Sequence, residues 1–235
     1  LPAATEVGFD RAAHSICSDT LWDNLYRNPE KLAVTGPAGD LDYATLIANA
    51  AQWGHAFIAA GLSRGDRIPF FLDDTPAYPA AFFGAVRAGF VPVLLNTQTN
   101  ADTLAYFLAD TEARLVLCEA TLLSEFSSEL LAGSDVEKMV VVNGDALNDG
   151  QIAQRHFLDG QPTSLAPADT TAADMAFWMY SSGTTGRPKG IVHLHHDMAY
   201  THQSYGRQIL GITSDDICFS VPKIFFAYGF GNSFT

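Results

Sequence analysis

The fold of this 235-residue chain is decided by the stretch Arg67–Leu95, which reads RIPFFLDDTPAYPAAFFGAVRAGFVPVLL. Its first six residues form an apolar run that predicts a buried strand. Thr75-Pro76 then predicts a helix start, because proline is tolerated at the first helical position and threonine can cap it. The helix is expected to end near Gly89. Val91–Leu95 predicts the next strand, although its proline restricts that residue to a strand start or an unpaired side.

The same alternation of strands and helices extends on both sides of this stretch. Upstream, apolar residues at helical spacing predict a helix between a cap at Asp42 and a stop at Gly61. Downstream, Asn100 is expected to cap a helix that runs through Ala109. The remaining predicted elements are strands at 114–118, 138–142, 175–180 and 191–195, and a helix at about 121–131. This order predicts an α/β fold with a mainly parallel sheet covered on both faces.

A boundary is predicted in the stretch 143–171, which is richer in Asp, Gly, Pro and Gln and has no sustained period. Residues 1–170 are therefore expected to form a first βα-layered subdomain. Residues 171–235 are expected to begin a second one.

The composition excludes several classes of protein. With 48% hydrophobic and 17% charged residues, the chain can bury a core, so disorder is excluded. The formal net charge of −13 argues against nucleic acid or an anionic membrane as the main partner. No segment is typical of a signal peptide or a membrane span. Cys17, Cys118 and Cys218 are widely spaced and odd in number, which predicts reduced core cysteines and a cytoplasmic location.

The segment Tyr180–Gly190 has the composition of a phosphate-binding loop, since it reads YSSGTTGRPKG directly after an apolar strand. Glycines let backbone N–H groups approach an anion, hydroxyls donate further hydrogen bonds, and lysine adds a compact charge. The residues predicted to bind phosphate are Ser181, Ser182, Gly183, Thr184, Thr185, Gly186 and Lys189. Of these, Lys189 and Thr184 are predicted to be catalytic. The alternative is a flexible Ser/Gly surface turn.

This loop differs from the common P-loop, in which Gly-Lys-Ser/Thr opens a helix. Here Pro188 precedes Lys189, and the residues after the loop predict a strand. Loop amides, hydroxyls and Lys189 must therefore hold the phosphates without a helix dipole.

Four of the seven histidines lie between His193 and His202. His193 and His195 would share one face of a strand, which leaves a metal pair open as an alternative. No cysteine or tight carboxylate cluster completes a tetrahedral site there, so a structural role is favoured and no metal ligand is predicted.

The loop resembles the signature loop of the adenylate-forming superfamily, which includes acyl-CoA synthetases, adenylation domains and luciferases. Leu41-Asp42-Tyr43 and the segment Asp66–Asn96 resemble upstream parts of the same superfamily. The string Phe-Phe-Ala-Tyr-Gly-Phe-Gly-Asn at 225–232 is similar to the benzoate-type CoA ligases of that superfamily.

The resemblance implies a fold, a reaction and a substrate pocket. Phe226, Ala227, Tyr228 and Gly229 would form the wall of the acyl pocket. An aromatic carboxylic acid would attack Mg²⁺-bound ATP to give an acyl-adenylate, and the thiol of coenzyme A would then displace AMP. Members of the superfamily are usually more than twice this long. The chain is therefore expected to be an N-terminal fragment without the C-terminal domain, and inactive alone.

Two other functions stay open from the sequence. One is an adenylate-forming enzyme for a fatty acid or a carrier-protein thiol. The other is a non-catalytic nucleotide-binding module. A homodimer is left open as an assembly.

Overall fold

The computed structural model describes residues 9–19, 21–182 and 186–234. In these residues the strands are β1 (Leu32–Val34), β2 (Leu41–Asp42), β3 (Arg67–Phe71), β4 (Val91–Leu94), β5 (Leu115–Glu119), β6 (Lys138–Val142), β7 (Gln151–Ala153), β8 (Met175–Ser181) and β9 (Lys189–Leu194). The α-helices are α1 (Asp23–Arg27), α2 (Tyr43–Ala59), α3 (Ala77–Arg87), α4 (Ala101–Thr111), α5 (Ser128–Ala132), α6 (Gln154–Phe157), α7 (Asp197–Thr201) and α8 (Ala227–Phe234). Short 3₁₀ helices span Arg11–Ala13 and Ala120–Glu125, and α7 continues as a π-helix over His202–Leu210.

Seven strands of the described residues form one sheet in the order β7-β6-β5-β3-β4-β8-β9, while β1 and β2 pair separately. Neighbours in the large sheet run parallel except β8 and β9, which are antiparallel. The α/β prediction is therefore confirmed. The carboxyl ends of the parallel strands lie along one side, which we call the carboxyl edge: Phe71, Leu94, Glu119, Val142, Ala153 and Ser181.

Alternate residues of the central strands point to opposite faces of the sheet. Phe70 and Leu117 belong to a core formed with α2 and α3. Phe71 and Val116 belong to a second core formed with α4. Both faces are thus covered, as the near-continuous apolar strands predict.

The predicted boundary at residue 170 falls inside this continuous sheet. Before it, β7 and α6 lie in the stretch where no regular element was predicted. After it, β8 pairs directly with β4. The division into residues 1–170 and 171–235 stays a prediction.

Three helix predictions depended on a capping residue, and the structure confirms two of these caps. The carboxylate of Asp42 accepts a hydrogen bond from the Thr45 N–H at 2.7 Å, and Asn100 accepts one from the Thr103 N–H at 2.9 Å. Both caps are confirmed. Thr75 is not a cap: its hydroxyl instead accepts a hydrogen bond from the Asn143 amide at 3.1 Å, and α3 begins after Pro76.

The helix predicted at about 121–131 is broken into two pieces. Phe126 ends the 3₁₀ helix with non-helical angles, φ −99° and ψ 80°, and its ring packs edge-on against Phe71. Ser127 then caps α5 by accepting a hydrogen bond from the Leu130 N–H at 3.1 Å. Burial of the aromatic ring and a new cap together favour the break over a continuous helix.

The cysteine prediction is right for two residues and wrong for the third. Cys17 and Cys118 are buried, but Cys218 is exposed, and all three are free thiols. Apolar neighbours in sequence do not bury a residue when the segment itself lies at the surface, as Ile217 and Phe219 do. Among the described residues, no helix is long and apolar enough to cross a membrane.

Helices α2 and α3 cross at a pair of glycines, Gly54 and Gly84. A Cβ on Gly84 would lie 2.8 Å from the Trp53 Cβ and 3.0 Å from the Gly54 nitrogen, and it would overlap the Ala50 carbonyl oxygen. The two backbones can therefore approach this closely only without a side chain at position 84.

We expect Gly84→Ala to lower the free energy of unfolding by about 1–3 kcal/mol, because it overpacks this crossing. Thermal or denaturant unfolding of the whole protein measures the change. Gly36→Ala is the matched control, since a Cβ at Gly36 would meet nothing within 4 Å. Equal unfolding midpoints for the two variants would contradict the close crossing.

Candidate phosphate-binding and acyl-binding site

The predicted phosphate loop joins two antiparallel strands at the carboxyl edge. Ser181, the last residue of β8, pairs with Lys189, the first residue of β9. Because β8 runs parallel to β4, this end of the hairpin lies at the carboxyl edge. A strand follows the loop, as predicted, so any phosphate grip here works without a helix N-terminus.

The described part of the loop is open to solvent. Ser181, Ser182, Gly186 and Lys189 are all exposed. Gly186 has φ +111°, a conformation that side chains disfavour, so glycine is suited to this turn. The predicted residues Gly183, Thr184 and Thr185 lie outside the described residues.

The predicted acyl-pocket segment, residues 226–229, changes from exposed to buried along its length. Phe226 and Tyr228 are 46% and 68% exposed, Ala227 between them is also exposed, and Gly229 is buried. A Cβ on Gly229 would overlap the carbonyl oxygen of Lys223, so the close return of the chain requires glycine there.

The buried end of α8 anchors this segment against the sheet. The ring centroid of Phe230 lies 5.3 Å from that of Phe82 on α3 and 4.7 Å from that of Phe177 on β8. Phe234 adds ring contacts with Tyr78 and Phe83. These aromatic residues belong to the core. The exposed apolar residues of the segment are therefore Phe226, Ala227 and Tyr228.

Two acidic residues at the carboxyl edge bind the chain just before the acyl-pocket segment. The Lys223 ammonium lies 3.4 Å from the Asp73 carboxylate, and the Ile224 N–H donates to the Asp74 carboxylate at 3.2 Å. Partial burial raises the pKa of Asp74. Asp73 and Asp74 lie two and three residues after the end of β3, so the phosphate loop and the aromatic segment both lie at the carboxyl edge.

Glu119 supports this anchor from the end of β5. Its carboxylate is almost fully buried and accepts hydrogen bonds from the Asn143 amide at 2.8 Å and the Asp73 N–H at 3.3 Å. Burial raises the pKa of Glu119 against the effect of these hydrogen bonds. Asn143 adopts φ 57° and also bonds Thr75, so one amide links β3, β5 and β6.

Sequence reasoning missed Asp73, Asp74, Glu119 and Asn143 as part of the site. All of them lie within three residues of the carboxyl end of a parallel strand, which is where ligand-binding residues gather in open α/β sheets. That position in the chain was the available signal.

The structure corrects the prediction that His193 and His195 share one strand face. Strand β9 ends at Leu194, so His195 lies beyond it. The His193 ring stacks on Phe177 with centroids 4.5 Å apart, whereas His195 is 1% exposed. Burial lowers the pKa of His195 to about 4, so the ring is neutral near pH 7 and supports the core.

In the parts of the chain that are described, no group of three or more His, Cys, Asp and Glu side chains is arranged to hold a metal ion.

Residues 21–235 match the family model described as "AMP-binding enzyme". A 4-hydroxybenzoate–CoA/benzoate–CoA ligase of Rhodopseudomonas palustris is 38% identical over 203 residues, which cover 86% of this chain and 37% of that protein. The chain thus spans less than half the length of the curated relatives that it matches.

This chain is also similar to solved structures of CoA ligases. The crystal structure of the anthranilate CoA ligase AuaEII in complex with anthranoyl-AMP superposes with a TM-score of 0.90 at 29% identity, covering 98% of this chain and 44% of that one. A benzoate CoA ligase from Burkholderia xenovorans LB400 superposes with a TM-score of 0.80 at 31% identity, covering 95% of this chain and 42% of that one.

Proposed function

Because this chain belongs to the family of AMP-binding enzymes, we propose that the whole protein uses ATP to activate an aromatic carboxylic acid and transfers the acyl group to coenzyme A. Relatives that are named benzoate–CoA and hydroxybenzoate–CoA ligases support this substrate class. The observation that carries the proposal is that the hydroxyl-rich loop and the exposed aromatic segment meet one edge of the sheet.

The proposed reaction has two steps. An oxygen of the substrate carboxylate attacks the α-phosphorus of ATP, the bond from that phosphorus to the bridging oxygen breaks, and pyrophosphate leaves. The thiol of coenzyme A then attacks the acyl carbonyl carbon, loses its proton, and displaces AMP. The first step develops negative charge on the pyrophosphate oxygens, which donors near the β- and γ-phosphates would stabilise.

The loop residues fit the triphosphate part of ATP. Ser181 and Ser182 offer exposed hydroxyl donors, and Lys189 offers an exposed ammonium group at the same end of the hairpin. We propose that these groups, with Thr184, align the leaving group. The Mg²⁺ that accompanies ATP would be held largely by the phosphate oxygens, since Mg²⁺ in such sites is usually bound by substrate phosphates and one or two carboxylates.

The acyl-pocket segment fits a flat apolar ligand. Phe226 and Tyr228 present two aromatic side chains, and the small Ala227 lies between them. Offset or edge-to-face contact with such rings favours an aromatic acid over a linear one. We also propose a cytoplasmic location, which the free thiols of all three cysteines support.

The test is acid-dependent exchange of labelled pyrophosphate into ATP by the whole protein. We expect benzoate and hydroxybenzoates to support exchange with a specificity constant about tenfold or more above that of hexanoate, because a linear chain leaves part of a ring-shaped slot empty. Release of AMP in equal amount to the thioester formed, once coenzyme A is added, checks the second step.

The other outcomes separate the alternative functions. Preference for a long aliphatic acid would replace the aromatic substrate with a fatty acid. Thioester formation on a carrier protein but not on coenzyme A would replace the acceptor. ATP binding without exchange for any acid would favour a non-catalytic nucleotide-binding module.

A further inference from the structure

Helix α4 contacts the phosphate-loop hairpin on both sides of the loop. The Tyr180 hydroxyl donates a hydrogen bond to the Asp110 carboxylate at 2.7 Å. The Tyr106 hydroxyl donates one to the Pro188 carbonyl oxygen at 3.1 Å. Tyr180 directly precedes Ser181, and Pro188 directly precedes Lys189. One helix therefore holds the chain where it enters the loop and where it leaves it.

Ring contacts support the tie at the entry. The ring centroids of Phe107 and Tyr180 are 4.1 Å apart, and Phe107 is buried in the core on this face of the sheet. Tyr180 is itself half-buried, and this burial, with the bond to Asp110, raises its pKa. Its hydroxyl thus stays protonated and remains a donor over the working range of pH.

The tie at the exit acts on the backbone next to Lys189. The Pro188 carbonyl belongs to the peptide plane that contains the Lys189 nitrogen, so fixing that oxygen fixes the plane from which Lys189 departs. The Arg187 guanidinium also lies over the Tyr106 ring, 5.3 Å from its centroid. Tyr106 therefore contacts two consecutive residues immediately before the lysine.

A loop that grips phosphates through amides and hydroxyls depends on these groups being held in place before the substrate arrives. The glycines of the loop cannot supply that rigidity themselves, because glycine loses more conformational freedom than any other residue when it is ordered. The described residues of the loop are exposed, so the rigidity must come from its neighbours.

We propose that Tyr106 and Asp110 are positioning residues that fix the two ends of the phosphate loop, so that it binds the β- and γ-phosphates of ATP in the adenylation step. This inference rests on the proposed function and assigns the two residues a role in it. Neither residue touches the acyl-pocket segment in the contacts described above, so the inference predicts an effect on ATP and not on the acid.

The test is Tyr106→Phe in the whole protein, because it removes one hydrogen bond without changing charge or ring volume. One neutral hydrogen bond contributes about 0.5–1.5 kcal/mol, so we expect the KM for ATP in pyrophosphate exchange to rise about two- to tenfold. The KM for benzoate and the rate of thioester formation from preformed acyl-adenylate should stay unchanged. Tyr26→Phe is the matched control, since Tyr26 is 87% exposed.

Direct binding separates this inference from the proposed function. Titration calorimetry with pyrophosphate should show weaker binding by Tyr106→Phe than by wild type, whether or not any acid supports exchange. An unchanged KM for ATP together with unchanged pyrophosphate affinity would overturn the inference. Equal losses in both half-reactions, with a lower unfolding midpoint, would also overturn it, because Tyr106 would then only support the fold. A wild type that binds pyrophosphate but shows no acid-dependent exchange would instead refute the proposed function.

Discussion

Replacing Lys189 by alanine is expected to slow acid-dependent exchange of pyrophosphate into ATP by about ten- to hundredfold, while thioester formation from preformed acyl-adenylate stays nearly intact. A hydrogen bond to a charged group contributes about 1.5–3 kcal/mol, which corresponds to this range of rates. Pyrophosphate has left before the second step, so the lysine then has little to hold. Thr184→Ala should show the same division between the two half-reactions.

The structure gives two reasons to expect so large an effect from Lys189. Its side chain is exposed beside the loop, and it takes part in no ion pair within the described residues. Its charge is therefore available to a ligand. Its backbone pairs with Ser181, so the lysine is held at the mouth of the loop by the sheet.

Arg155→Ala is the control for a lost positive charge. Arg155 follows β7 at the opposite end of the sheet order and pairs only with the exposed Asp145 among the described ion pairs. It should leave both half-reactions unchanged, and Lys189→Arg should restore part of the exchange rate. Equal losses in adenylation and thioester formation by Lys189→Ala would contradict a role in holding the leaving group.

Replacing Ala227 by leucine is expected to lower the specificity constant for benzoate by about fivefold to 150-fold, and that for a short aliphatic acid by less. Overpacking a well-fitted site costs about 1–3 kcal/mol, which corresponds to this loss. A short linear acid does not need the full width of the proposed acyl pocket, so it should suffer less. The ATP concentration needed should scarcely change, because the phosphate loop is untouched.

The position of Ala227 makes this test specific to the substrate. Ala227 is the first residue of α8 and is exposed, whereas the anchors of the helix, Gly229 and Phe230, are buried. Leucine at position 227 therefore does not enter the core. Ala132→Leu is the matched control, since Ala132 is also exposed and lies at the end of α5. If benzoate and the aliphatic acid lose the same factor, Ala227 supports the fold and does not line a pocket.

The parts of the fold that were predictable from the sequence depend on local chemistry. Asp42 and Asn100 cap their helices, and Gly61 ends one at φ +86°, because each effect acts within about four residues along the chain. Thr75 failed as a cap because a residue far along the chain, Asn143, binds its hydroxyl. Helix-capping propensity does not account for a hydrogen bond from a residue so far along the chain.

The same distinction between local and long-range interactions applies to the candidate site. The phosphate loop stays a prediction, and it could be made from the sequence because its residues are consecutive and their chemistry can be interpreted without knowledge of the fold. The two ties from α4 were not, since Tyr106 and Asp110 meet Pro188 and Tyr180 only after distant segments have packed. The ion pair between Lys223 and Asp73 was likewise not predictable, because these two residues meet only at the carboxyl edge of the folded sheet.

The pairing of β8 with β4 has a consequence for how the loop is assembled during folding. The hairpin of β8 and β9 is local, since Ser181 and Lys189 are close in sequence, and such hairpins form within microseconds. Its attachment is not local, because Val93 meets Trp178 about 85 residues later, and closure over such a distance is slow. We therefore expect the hairpin to form only transiently until it docks on the sheet, because an isolated two-stranded hairpin is marginally stable. The final shape of the loop is then completed late in folding.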